Sequence, residues 1–173
     1  MHPRTDDCPW CGGRLTNLIA IDRRNAEPSL GALQQFGELV EVMTCPVCAC
    51  YGTVRGDLDA HGRGRWASAN TKPSYLPGDS SDWEPSPWAS ATVLLRPRGP
   101  LHAAEWTLPT TLSQIGGRPA WVQDSAYPNC HRCAQTMTFL AQIDQAVFPG
   151  YEGVYYAFTC APCRTTATTY QQT

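Results

Sequence analysis

Eight of the nine cysteines in this 173-residue chain stand in four Cys-x-x-Cys pairs: Cys8/Cys11, Cys45/Cys48, Cys130/Cys133 and Cys160/Cys163. A Cys-x-x-Cys turn lets two thiolates hold one ion while nearby backbone N–H groups support the sulfurs. Two such turns complete a tetrahedron with Zn–S bonds of about 2.3 Å. By sequence the pairs group as 8/11 with 45/48 and 130/133 with 160/163, which predicts two structural zinc ions.

The two sets repeat one another. A shift of 122 positions places Cys8 on Cys130, Cys11 on Cys133, Thr16 on Thr138, Leu18 on Leu140, Ile21 on Ile143 and Asp22 on Asp144. A shift of 115 places "TCPVC" (44–48) on "TCAPC" (159–163). The pattern is that of a duplicated zinc ribbon, in which a knuckle leads into a strand, a loop returns as a second strand, and that strand delivers the second knuckle. "LTNLIAI" and "MTFLAQI" are short and apolar enough for buried strands, and "GVYYAFT" (153–159) alternates, with "ELVEVMT" (38–44) as its counterpart. In the first loop, Pro28 and Ser29 lead into a short helix with Leu30, Leu33 and Phe36 on one face, ended by Gly37.

The expected fold is therefore mainly β: two zinc-ribbon modules, at 1–54 and 129–173, flanking a β-rich insert at 55–128 that contains tryptophans, all in one compact unit. Within the insert, "YGTVRGDLDAHGRGRW" (51–66) reads as a strand, a polar solvated turn and a return strand, and "RPRGP" marks a second hairpin. The Pro- and Ser-rich stretch from Lys72 to Ser90 reads as a long surface loop carrying Tyr75, Trp83 and Trp88 among Asp79, Asp82 and Glu84. Aromatic anchors among carboxylates suit a basic protein surface, so these three residues are candidate partner contacts. Trp66, Trp106 and Trp121 stand in strand-like contexts and are expected to pack.

Four thiolates close the coordination sphere of zinc, so these sites are expected to be structural and not catalytic. The histidines are His2, His61, His102 and His131, with His131 expected to face solvent beside an ion. There is no phosphate loop, serine elbow or His-Glu-x-x-His, and no enzyme is expected. Cys50 is left over and is expected to be a small buried side chain.

Charge separates the binding classes. The formal net charge is −2, and two zinc tetrathiolates take it to about −6. Nucleic acid demands a concentrated positive face, so a basic protein partner fits better than phosphate. No run approaches the roughly 18 apolar residues of a membrane helix. The first residues lack the apolar core of a signal peptide, so the expectation is a cytoplasmic protein whose thiols do not form disulfides.

One part of the chain resembles a known family. Gly116-Gly117-x-Pro119-x-Trp121-x-Gln123, then Tyr127-Pro128-x-Cys130-x-x-Cys133 and Met137-x-Phe139-Leu140-x-Gln142, is similar to the YwqG-type domain of unknown function, a relative of programmed cell death protein 2. The resemblance spans about 106–173. It implies a non-enzymatic domain that handles protein partners, either as an immunity protein against a cognate toxin or as a chaperone for a basic client such as a ribosomal protein. For Trp121 and Gln123 it implies a place at a peptide-binding cleft. The residues alone read more plainly, as a Gly-Gly turn and a Pro-fixed extended segment that packs Trp121.

Overall fold

The structure, a computed structural model, describes residues 2–22, 33, 36–76, 99, 113–144 and 152–172. Its strands are β1 (His2–Asp7), β2 (Arg14–Asp22), β3 (Leu39–Thr44), β4 (Val54–Leu58), β5 (Gly64–Trp66), β6 (Gln114–Ile115), β7 (Thr138–Asp144), β8 (Val154–Cys160) and β9 (Thr165–Gln171), with one helical turn, α1 (Pro46–Ala49). They form a three-stranded sheet, β1-β2-β3, and a six-stranded sheet in the order β5-β4-β9-β8-β7-β6, all antiparallel.

The duplication extends to the hydrogen-bond register. β2 pairs with β3 as Thr16↔Thr44, Asn17↔Met43, Ile19↔Val42 and on to Asp22↔Leu39. β7 pairs with β8 as Thr138↔Thr159, Phe139↔Phe158, Ala141↔Ala157 and on to Asp144↔Val154, the same pairs under the two shifts. Each ribbon carries its bulge at the corresponding place, between Asn17 and Ile19 and between Phe139 and Ala141. A bulge adds one residue to one strand and bends it, here at Leu18 and Leu140, which are both buried. The bridge Asn129↔Thr136 likewise answers the pair Asp7↔Arg14.

After the second knuckle the ribbons part. In the second, a tight turn with Arg164 at φ 52° feeds β9 directly back alongside β8. In the first, Pro46 opens α1 and Cys45 caps it, its sulfur accepting from Cys48 N–H at 3.5 Å. Proline suits the first position of a helix because its missing N–H would be unpaired there. The helical turn carries the chain away from β3, and β4 pairs with β9 (Val54↔Thr168 to Asp57↔Thr165). The strand that trails one ribbon thus joins the sheet of the other.

β8 is buried along its whole length because both its faces are covered. Tyr155 and Ala157 pack into the core shared with the first ribbon, whereas Val154, Tyr156 and Phe158 belong to a second cluster with Phe139 and Trp121. Between the ribbons, the Thr44 and Thr168 hydroxyls meet at 2.7 Å and Tyr155 O–H donates to Pro46 C=O at 2.9 Å. The β4–β5 hairpin is pressed against β3: Glu41 N–H donates to Gly62 C=O at 2.9 Å, and a Cβ on Gly62 would lie 1.7 Å from Leu39 O. The glycines of its turn, Gly62 and Gly64, are therefore packed against β3, while His61, Arg63 and Arg65 are exposed, as the solvated turn expected from "HGRGRW" requires. Asp59 organises it, accepting from the N–H groups of His61 (2.9 Å) and Arg63 (3.0 Å) and from the Arg65 guanidinium (3.1 Å). The helix expected after Pro28 and the hairpin at "RPRGP" lie outside the described residues, save Leu33, Phe36, Gly37 and Gly99.

Two candidate zinc centres

The fold gathers the eight predicted ligands into the two predicted sets, Cys8, Cys11, Cys45 and Cys48 in one and Cys130, Cys133, Cys160 and Cys163 in the other. In each set all four sulfurs lie within 4.8 Å of one another. The Sγ atoms of Cys8 and Cys48 are 3.6 Å apart, as are those of Cys11 and Cys45, and those of Cys133 and Cys160 are 3.7 Å apart. A regular ZnS4 tetrahedron with 2.3 Å bonds has edges of about 3.8 Å, whereas a disulfide brings its sulfurs to about 2.05 Å. The residues fit two structural zinc ions.

The knuckles explain how the sulfurs converge. Cys8 N–H donates to Gly13 C=O (2.7 Å) and Gly12 N–H to Cys8 C=O (2.8 Å). Cys130 N–H to Gln135 C=O (2.8 Å) and Ala134 N–H to Cys130 C=O (2.9 Å) repeat the turn. That turn needs a left-handed residue after its second cysteine. Gly12 supplies it at φ 73°, and Ala134 adopts it at φ 58° against its Cβ. Backbone N–H groups support the sulfurs, as Arg132 does toward Cys130 Sγ at 3.4 Å, joined there by the Thr165 hydroxyl at 3.3 Å.

Protonation is uneven within each set. Hydrogen bonds from Cys45 and Cys48 hold the Cys8 thiol well below its ordinary range, while the same clustering pushes Cys48 up through its bonds to Cys45 and Cys8. Burial opposes ionisation of Cys130, but the Thr165 hydroxyl and the N–H groups of Arg132 and Cys133 outweigh it and hold the thiol at about 6. Cys163 is pushed up to about 12, chiefly by its hydrogen bond with Cys133. Four thiols this close cannot all ionise by themselves. A divalent cation removes that conflict, so binding releases protons and contributes on the order of 10 kcal/mol to folding.

The centres differ in their surroundings. The first is sealed, with Cys8, Cys11, Cys45 and Cys48 between 0% and 7% exposed and Trp10 packed edge-on against Trp66 at 5.1 Å. In the second, Cys130 and Cys160 are buried, Cys163 is half-buried and Cys133 is exposed. The β4–β5 hairpin braces both second-centre knuckles. Asp57 meets His131 Nε2 and the Arg132 guanidinium at 3.1 Å each, Leu58 N–H donates to Arg164 C=O at 2.8 Å, and the Arg164 guanidinium donates to Asp59 C=O.

Three expectations need correction or completion. His131 does not face solvent; its side chain is 10% exposed and turned onto Asp57, because β4 lies across the knuckle. Cys50 is exposed and not buried, since α1 ends there, and it belongs to neither set; its thiol donates to Pro46 C=O at 3.3 Å. Asp57 went unrecognised as a brace, although "DLD" places alternate acidic residues at a strand end.

Of the candidate partner contacts, Trp83 and Trp88 lie outside the described residues. Tyr75 is 68% exposed and donates its hydroxyl to Tyr51 C=O. Trp121 is half-buried, its ring 4.7 Å from Tyr156, 5.2 Å from Tyr127 and 6.1 Å from Phe158. The segment holding it is laced to the sheet by three side chains. Gln142 accepts from Ala120 N–H (2.8 Å), Tyr156 donates to Ala120 C=O (2.7 Å), and Gln171 accepts from the N–H groups of Val122 (3.2 Å) and Gln123 (3.0 Å). Gln123 is exposed, and its amide donates to Gln172 C=O at 2.7 Å.

Among known proteins, uncharacterized protein YpfL of Salmonella typhimurium is 42% identical to this chain over 175 residues. The match takes in 97% of this chain but spans only 39% of the length of YpfL. No protein-family model matches the chain, and no solved structure matches it.

Proposed function

We propose that this chain is a non-enzymatic structural-zinc protein that binds a basic protein partner, in the specific form of an immunity protein that neutralises a cognate toxin. The observation that carries the reading is the closure of both cysteine sets. Each supplies four thiolates, which leaves zinc no open position for substrate or water and makes it a poor Lewis acid. Closed sites also leave a net charge of about −6, which favours a basic protein over phosphate. Two cations that could have formed a positive face are matched by carboxylates, Arg65 by Asp59 and Arg132 by Asp57. Tyr75 and Tyr127 supply exposed aromatic surface of the kind that anchors protein interfaces.

The test begins with the neighbouring genes: a toxin domain found there is titrated calorimetrically into the zinc-loaded protein and its activity assayed, and a neighbourhood without a toxin gene would count against the immunity role. Submicromolar binding that abolishes the activity is expected. Binding that leaves the partner active would favour the chaperone role implied by the resemblance to the programmed cell death protein 2 relatives. Submicromolar, salt-sensitive binding to generic RNA would overturn the protein-partner reading.

A further inference from the structure

The two centres are near copies in strand register up to the second knuckle, where a helical turn in the first and a tight turn in the second part them. They also differ in cover. In the first, every sulfur is buried, whereas the second presents Cys133 to solvent with Cys163 half-buried beside it. The Cys133 sulfur lies 3.7 Å from that of Cys160, which is 9% exposed. One accessible thiolate with a second sulfur at its back is the arrangement in which oxidation of the first is resolved by the second. The turns on this side also hold left-handed non-glycine residues, Ala134 and Arg164, where the first centre has Gly12 and a helical turn.

We propose that the second centre is an oxidant-responsive modification site, in which a peroxide converts Cys133 and Cys160 to a disulfide and expels the zinc ion, while the first centre stays intact. The steps balance as follows. The Cys133 thiolate attacks one peroxide oxygen; the O–O bond breaks, a sulfenic acid forms, and the departing oxygen takes up protons as water. The Cys160 thiolate then attacks the Cys133 sulfur, forming the S–S bond and releasing the sulfenic oxygen as a second water after protonation. Two thiolates lose two electrons in all, and one hydrogen peroxide is reduced to two waters. Only Cys130 and Cys163 remain as ligands, and two thiolates hold zinc far less tightly than four. The reverse needs a dithiol reductant and zinc. Cys50 is the competing thiol, since it is exposed and follows the first centre's last ligand by two positions.

The experiment uses the full chain carrying two zinc ions, both as wild type and as Cys50→Ser. Hydrogen peroxide is added, zinc release is followed with a chromogenic chelator, and disulfides are mapped by peptide mass spectrometry. In both proteins one zinc per chain should leave in a fast phase, about tenfold or more ahead of the second, with Cys133–Cys160 as the bridge. Dithiothreitol and zinc should restore the starting content. Release of both ions in a single phase, earlier modification of Cys8, Cys11, Cys45 or Cys48, or suppression of the fast phase by Cys50→Ser would each overturn the proposal. The mapping needs no ligand variant, so a Cys133→Ser protein that fails to fold does not obscure the result.

Discussion

Replacing Gly62 by alanine tests whether the close approach of the β4–β5 turn to β3 holds the two ribbons together. The new Cβ would fall 1.7 Å from Leu39 O and 2.7 Å from Leu39 C, so the turn must withdraw by more than about 1 Å to reach an allowed contact. That movement breaks the 2.9 Å bond from Glu41 N–H to Gly62 C=O. Holding alanine at φ +81° costs about 1–2 kcal/mol, and leaving that bond unmade costs about 1–3 kcal/mol more. For a chain of this size each kcal/mol lowers Tm by about 2–4 °C, so a fall of roughly 10 °C is expected. Gly12→Ala is the control. Gly12 has a similar φ of +73° but nothing within 4 Å of its Cβ position, so it incurs only the first cost, a fall of about 2–8 °C. Melting curves of the two zinc-loaded variants, followed by circular dichroism, separate steric exclusion from backbone strain. Equal shifts in Tm would refute the claim that the docked turn joins the ribbons.

Further expectations concern the metal, the repeat and the tyrosines. Ala134→Gly should raise Tm by about 2–4 °C, since it relieves a left-handed alanine at φ 58° at a cost only of chain entropy; a fall would show that Ala134 contributes packing that outweighs its strain. Elemental analysis should find two zinc ions per chain, and a strong chelator should abolish cooperative melting. Cys130→Ser should cut the content to one ion and destabilise the chain strongly, whereas Cys50→Ser should leave both content and Tm unchanged; equal effects would contradict the ligand assignment. Burial pushes the Tyr170 hydroxyl from 10.0 up to about 12 and pushes Tyr155 up as well. Between these values the unfolded chain loses the proton that the folded chain keeps, so stability should fall as pH rises from about 10 toward 12. Tyr170→Phe should flatten that slope in a series of melts, and an unchanged slope would assign it to other groups.

The metal chemistry and the ribbon units are legible along the chain, because both depend on short-range spacing. Cys-x-x-Cys fixes two sulfurs on one turn, and the 122- and 115-residue shifts mark the duplication, whose strand register and bulges at Leu18 and Leu140 the structure supplies. Tertiary structure alone decided how the ribbons join. β9 is "TTATTYQ" and β1 is "HPRTDD", neither with the apolar alternation that marks a half-buried strand. Thr165, Thr166 and Thr168 are nonetheless fully buried, because β-branched side chains fit a pleated sheet covered on both sides. The pairing of β4 with β9 joins residues more than a hundred positions apart, and no local pattern specifies which of several exposed edges they meet. The same holds for the contrast between the two zinc centres. The same Cys-x-x-Cys pairs supply the same four-sulfur set in both centres, but whether a sulfur is buried, as all four are in the first, or faces water, as Cys133 does, is set by the elements packed around it. Spacing along the chain fixes what a site can bind; packing across the chain fixes what can reach it.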